Sequence, residues 1–71
     1  MKLNAELYSL SRTQWEHLID EYVFSERDRR ILKRRLLDGI IFERLAEEFE
    51  LSVQQTKEIV YRSQRQVSKH I

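Results

Sequence analysis

The sequence predicts an all-α protein, a small bundle of three to four helices that contains a helix-turn-helix. Three observations predict this fold class. Apolar residues recur at the three- and four-residue spacing of amphipathic helices, Ser residues precede these stretches as N-caps, and no segment alternates like a strand. The 71 residues also include no Pro and a single Gly, so little interrupts the helices.

The first helix is predicted over residues 12–24. Ser11 and Gln14 form a capping-box pattern, in which each side chain satisfies a free amide of the first turn. Apolar residues follow at i, i+3, i+4, i+7 and i+8, and these are Trp15, Leu18, Ile19, Tyr22 and Val23. Residues 1–10 precede this signal, and we expect an extended or partly helical lead-in that packs onto the rest.

The second helix is predicted to begin after Ser25 as its N-cap. Glu26 and Asp28 stand in the first turn, where the helix dipole favours acidic side chains. The residues expected to face inward are Ile31, Leu32 and Leu36. The helix should end at Asp38-Gly39, because Gly readily adopts the left-handed conformation that follows a helix.

A short third helix is predicted over residues 42–49, and Ser52 opens a fourth helix with a second capping box to Gln55. The buried side of the fourth helix, which extends to about residue 69, is expected to contain Thr56, Ile59, Val60, Ser63 and Val67. Three residues separate the third and fourth helices. This arrangement is typical of a helix-turn-helix, whose second helix can enter the major groove of DNA.

The whole chain is predicted to form one domain, in which residues 1–26 are a lead-in and a helix and residues 27–71 are the helix-turn-helix part. The net charge of +1 divides unevenly, with −3 over residues 1–26 and +4 over residues 27–71. Such an asymmetry favours a polyanionic partner. Solvated helix faces account for it equally well.

Several classes of protein are excluded by composition. No apolar run approaches the ~20 residues of a membrane span, and no signal-peptide pattern is present, so we expect a cytoplasmic protein without membrane contact. The absence of Cys excludes disulfides and thiolate metal sites. No phosphate loop or nucleophile constellation is present, which predicts no enzyme, no cofactor and no metal. His17 and Glu21, one turn apart, are better explained as ordinary surface than as metal ligands.

Several short motifs, in order and with regular spacing, run from residue 27 to residue 71. They are Asp28-Arg29-Arg30-Ile31-Leu32, Arg35-Leu36-Leu37-Asp38-Gly39, Phe42-Glu43-Arg44-Leu45-Ala46-Glu47 and Leu51-Ser52-Val53, followed by Lys57, Ile59, Tyr61 and Arg62. This stretch resembles the fourth conserved region of bacterial sigma-70-type factors and related small regulators. The resemblance implies a bundle whose last helix reads double-stranded DNA, often in contact with RNA polymerase.

Three positions depart from the pattern of that family. Ile41 stands where Ser or Thr usually caps the third helix, so it offers no side-chain acceptor. Glu50 replaces the usual Gly of the turn, which predicts a strained left-handed residue. Thr56 replaces a buried Val or Ile.

The resemblance also assigns candidate DNA-binding residues. Six occupy the outward N-terminal half of the last helix, namely Ser52, Val53, Gln54, Lys57, Glu58 and Tyr61. Gln54 is expected to bind an adenine edge, Lys57 a guanine or a phosphate, and Val53 a thymine methyl group. The residues expected to clamp phosphates without reading sequence are Arg44, Arg62 and Arg65.

The second helix carries further cations. One stripe points away from its apolar face and consists of Arg27, Arg30 and Arg34. The sequence leaves open whether this stripe follows a phosphate backbone or is only solvated. Arg35 falls near the apolar face and is expected to pair with a carboxylate such as Glu47 or Glu48.

Two functions of different classes follow from these observations. The leading hypothesis is sequence-specific binding of double-stranded DNA in transcription regulation, with a role in DNA packaging or replication as a weaker variant. The alternative is a protein-interaction adaptor, on RNA polymerase or in a phage assembly, which is favoured by the acidic residues Glu47, Glu48, Glu50 and Glu58. A homodimer also remains open. The first helix carries apolar and aromatic residues that either form the core or make a homodimer or partner interface. They are Trp15, Leu18, Ile19, Tyr22 and Phe24.

Overall fold

A computed structural model describes residues 10–70, which form four helices and no strand. The helices are α1 (Arg12–Tyr22), α2 (Glu26–Leu36), α3 (Phe42–Phe49) and α4 (Val53–Ser68). The prediction of an all-α bundle is confirmed, and the predicted bounds differ from the observed ones by two residues or fewer. Of the expected lead-in, residues 1–9 lie outside the described part of the chain, while Leu10 packs against the core.

The helices begin at the predicted capping residues. Ser11 Oγ accepts from the Gln14 amide at 3.2 Å, and Gln14 Oε1 accepts from the Ser11 amide at 2.9 Å. Ser52 and Gln55 form the same reciprocal pair, with both distances at 3.0 Å. Ser25 Oγ accepts from the amide of the third residue of α2 at 3.3 Å. Each bond satisfies an amide that has no partner within its helix, which explains where the helices start.

The end of α1 is decided by tertiary contacts. α1 stops at Tyr22 rather than at residue 24, because Val23 takes an extended backbone and buries its side chain in the core. The carbonyl oxygens of Val23 and Phe24 accept from the Arg29 guanidinium at 2.8 and 3.1 Å. These carbonyls therefore have partners without any continuation of the helix.

One hydrophobic core lies between the four helices, and α4 packs against each of the other three. The buried apolar residues of this cluster are Trp15, Ile19, Val23, Ile31, Leu32, Leu45, Ile59, Val60 and Val67. Thr56 is fully buried among them, and its hydroxyl donates to the Ser52 carbonyl at 2.9 Å. Within residues 10–70 no buried side-chain polar atom lacks a hydrogen-bond partner. The core thus accepts the Thr56 hydroxyl without leaving a polar group unpaired.

The two connections that flank α3 contain left-handed residues. Gly39 has φ 68° and lies between α2 and α3. Glu50 has φ 56° and ψ 46° and ends α3. The Leu51 amide donates back to the Ala46 carbonyl at 2.8 Å, which satisfies an acceptor at the end of the helix. At the other end of α3, Ile41 makes no side-chain cap bond, as predicted.

Trp15 is 8% exposed and anchors α1 against the rest of the core. We expect Trp15→Ala to lower the free energy of unfolding by ~3–5 kcal/mol, because it leaves a large cavity, and to leave this small domain largely unfolded. Denaturant titration followed by circular dichroism measures the change. Phe24→Ala is the matched control, since Phe24 is 79% exposed and its removal should cost no more than about 0.5 kcal/mol. An unchanged melting temperature in Trp15→Ala would contradict this role.

Glu50 adopts the left-handed conformation that costs a residue with a Cβ about 1 kcal/mol. We expect Glu50→Gly to raise the free energy of unfolding by up to about 1 kcal/mol, measured by the same titration. Glu47→Gly is the matched control, because it removes the same charge from a helical position of α3 and should be destabilising. A loss of stability in Glu50→Gly would show that strain at this turn is not the dominant effect.

Candidate nucleic-acid interface

One face of α4 is left open by the bundle. At 100° per residue, the side opposite Thr56 and Val60 carries residues at i, i+4, i+7 and i+11. These residues are Gln54, Glu58, Tyr61 and Arg65, and all four are exposed. Four of the predicted site residues therefore share one stripe, which we call the outer stripe of α4.

The residues at the start of α4 are partly occupied by local bonds. Ser52 Oγ accepts from the Gln55 amide as the N-cap, so the hydroxyl proton and one further lone pair remain for a ligand. Val53 is half-buried. Gln54 Nε2 donates to Glu58 Oε2 at 3.4 Å, which leaves the Gln54 side-chain carbonyl oxygen free as an acceptor.

Lys57 lies beside an aromatic cluster rather than on the outer stripe. It is half-buried, and its Nζ is 5.8 Å from the centroid of the Phe42 ring. The Tyr61 ring meets the same ring edge-on, with centroids 5.9 Å apart. Phe42 thus links the start of α3 to the middle of α4 and orients both predicted contact residues.

Arg35 does not pair with Glu47 or Glu48, and that prediction is wrong. Its Nη1 donates to the Ile40 carbonyl at 3.0 Å, and its guanidinium carbon lies 4.2 Å from the centroid of the Phe42 ring. The carbonyl belongs to the connection that brings α3 back against α2. A free backbone acceptor and an aromatic face together satisfy the cation without a carboxylate.

The stripe of cations on α2 is engaged within the protein. Arg34 Nη2 binds Glu48 Oε1 at 3.0 Å, and its Nη1 binds Asp38 Oδ2 at 3.3 Å. Asp38 also accepts from Arg12 at 2.9 Å, and this hydrogen bond, with that from Arg34, holds the pKa of the Asp38 carboxyl below its usual value. These bonds tie α1, the end of α2 and α3 together at the surface.

The other two members of that stripe also have partners. Arg27 binds Asp28 Oδ1 through Nε and Nη2, both at 3.2 Å. The Arg30 guanidinium carbon lies 6.0 Å from the centroid of the Phe49 ring. The three cations keep exposed or half-exposed side chains beside these partners, so the contacts do not decide between a phosphate backbone and solvent.

The three predicted phosphate contacts differ in their surroundings. Arg62 Nη2 donates to Asp28 Oδ2 at 3.0 Å, which joins α4 to the start of α2. Arg44 and Arg65 are exposed, and neither forms an ion pair with another residue of the range 10–70. Of the three, these two arginines therefore have the most freedom to meet a ligand.

Sequence reasoning missed the residues that hold the predicted site in place. Asp28 was expected only as a first-turn acid, and nothing in the sequence linked Arg35 to Phe42. The one available signal was the position of Arg35 near the apolar face, which indicated an internal partner without identifying it. The His70 ring stacks on Tyr22 with centroids 3.7 Å apart, a contact that no sequence pattern indicated.

Other kinds of site have little support. No three His, Cys, Asp or Glu residues gather into a metal-binding group within the described part of the chain, and His17 with Glu21 gains no third ligand there. None of the helices in residues 10–70 has the length and apolar character needed to cross a membrane. Compared with protein-family models, with curated proteins and with solved structures, the chain has no match. The likeness to sigma factors depends on the motif residues given above.

Proposed function

We propose that this protein binds double-stranded DNA in a sequence-specific manner through α4 and regulates transcription, in the manner of sigma factor region four. The observation that carries the proposal is the outer stripe of α4, which leaves four polar side chains open on one helix face. α3 and the three residues 50–52 precede this helix, as in a helix-turn-helix.

The dimensions of α4 suit a major groove. A helix with its side chains is about 10–12 Å across, and the groove of B-form DNA is about 12 Å wide. Gln54 and Arg65 are eleven positions apart, which corresponds to about 16 Å along the helix axis. The first turn can therefore meet base edges while residues two to three turns later reach the sugar-phosphate backbone.

The chemistry of the stripe provides both kinds of contact. The Gln54 amide can pair with adenine, and the Glu58 carboxylate can accept from the amino group of cytosine. Lys57, held beside Phe42, lies next to the stripe and adds a cation for guanine or phosphate. Arg44 and Arg65 add attraction to phosphates that does not depend on sequence.

The second candidate is a protein-interaction adaptor, and one observation favours it. Ile41 is 54% exposed and Tyr61 is 50% exposed at the α3–α4 end of the bundle, with the acidic Glu43 and Glu58 nearby in sequence. Exposed apolar and aromatic side chains of this kind are common in protein interfaces. RNA polymerase is the partner that the resemblance suggests. Phe24, 79% exposed at the end of α1, offers a separate surface for a homodimer.

Salt dependence separates DNA binding from the adaptor function. We expect the wild-type protein to bind duplex DNA with an affinity that falls steeply with salt, and Arg65→Ala to weaken binding to all duplexes about equally. The slope of log affinity against log salt should become shallower by ~0.9, because one fewer counterion is released. Fluorescence anisotropy over a series of salt concentrations measures both quantities.

Lys33→Ala is the control for this charge change. Lys33 Nζ binds Asp20 Oδ1 at 2.7 Å between α2 and α1, so its removal should leave the slope unchanged. A wild-type protein without salt-sensitive affinity for any duplex at low ionic strength would contradict DNA binding and favour the adaptor.

Gln54→Ala should act on specificity instead. On a preferred site, selected from random duplexes, we expect a cost of ~1–3 kcal/mol, with non-specific binding and the salt slope nearly unchanged. Gln64→Ala removes the same amide from a half-buried position further along α4 and should have no such effect. Equal losses on specific and non-specific duplexes would show that Gln54 does not read a base.

A further inference from the structure

Asp28 is the one ionisable side chain among residues 10–70 that is buried, with 7% of the residue exposed. A carboxylate in such a position is costly unless cations compensate it. Each of its oxygens has its own guanidinium, since Oδ1 accepts from Arg27 and Oδ2 accepts from Arg62. Asp28 stands in the first turn of α2, so it brings a residue of α4 against the start of another helix.

The bond to Asp28 orders the Arg62 side chain but occupies only part of its guanidinium. Its side chain is 59% exposed, and one Nη2 donor makes its only hydrogen bond within the described chain. A guanidinium has five N–H donors in a rigid planar fork, so four remain available. An open groove of about 200 Å³ adjoins the pair, between Phe24 on one side and Gln66 on the other.

We propose that Asp28 is a positioning residue that holds Arg62 as a preformed clamp for a DNA phosphate. This inference rests on the proposed DNA binding by α4. An arginine that is already ordered loses less side-chain freedom when it binds, so less of the binding free energy is lost to ordering it. Asp28 contributes this order through a bond that leaves most of the Arg62 fork facing outward.

For the variant Asp28→Asn, the proposal predicts a change in duplex affinity opposite in sign to the change that the charge alone predicts. Replacing Asp28 with Asn removes a negative charge near the DNA, so charge alone would tighten binding. Loss of positioning should weaken it. We expect Asp28→Asn to weaken duplex binding about threefold to tenfold, which is the range that corresponds to ordering one side chain.

A double-mutant cycle identifies the residue through which Asp28 acts. In the Arg62→Ala background, Asp28→Asn should change duplex affinity less than about twofold, because the side chain it orders is gone. Asp20→Asn is the charge-matched control, since Asp20 pairs with Lys33 and Arg29 on the other side of α2. It should not weaken binding. Circular dichroism at the assay temperature gives the folded fraction by which each affinity is corrected.

Arg62→Lys tests the clamp without changing Asp28. It keeps the charge and loses the planar fork, so we expect weaker binding with nearly the wild-type salt slope. Two outcomes would overturn the positioning inference alone, provided that the wild-type protein binds duplex DNA. In the first, Asp28→Asn binds as tightly as the wild type or more tightly. In the second, Asp28→Asn loses the same duplex affinity whether residue 62 is Arg or Ala. A wild-type protein that binds no duplex would overturn both this inference and the proposed function.

Discussion

The burial of one face of α4 against the other three helices is the constraint on which the rest of the structure depends. Thr56, Ile59, Val60, Ser63 and Val67 lie on that face, and each is at most 5% exposed. Since a helix repeats every 3.6 residues and no other helix of residues 10–70 covers α4 from the far side, the opposite face stays in solvent. The outer stripe of α4 is thus a geometric consequence of the core. The same residues that stabilise the fold determine which side chains can meet a ligand.

Arginine has a structural role throughout this small domain. Arg29 satisfies two carbonyls after α1, Arg35 satisfies another after α2, and Arg34 joins α2 to α3 through Glu48. The planar guanidinium suits these tasks because it offers several donors in fixed directions. The positive charge of residues 27–71 is therefore a poor measure of the cations free for the proposed DNA contact. Among the predicted phosphate contacts, Arg44 and Arg65 have no ion-pair partner in residues 10–70, so fewer cations are free for the proposed interface than the composition indicates.

Each end of α3 has a residue that is unfavourable for helix stability. Ile41 supplies no cap, and Glu50 adopts a left-handed backbone that Gly would adopt more easily. Neither improves stability, and Ile41 also exposes apolar surface. Packing of Leu45 and Ala46 into the core, together with the backbone bonds of residues 50 and 51, keeps α3 in place. The proposed binding role of the exposed side chains around α3 gives a reason why these two unfavourable residues are present.

The sequence alone determined the four helices, the Ser caps of three of them, the buried positions of α4 and the left-handed Gly39 before α3. These features depend on interactions over a few residues, so spacing and residue type are enough to predict them. Only the tertiary structure decided the partners of the charged residues. Arg35 meets Phe42 and the Ile40 carbonyl, and Arg62 meets Asp28 across 34 positions of sequence. The early end of α1 has the same origin, because Val23 leaves the helix to enter the core. A long flexible cation can reach many acceptors, and which one it binds is decided by how the helices pack.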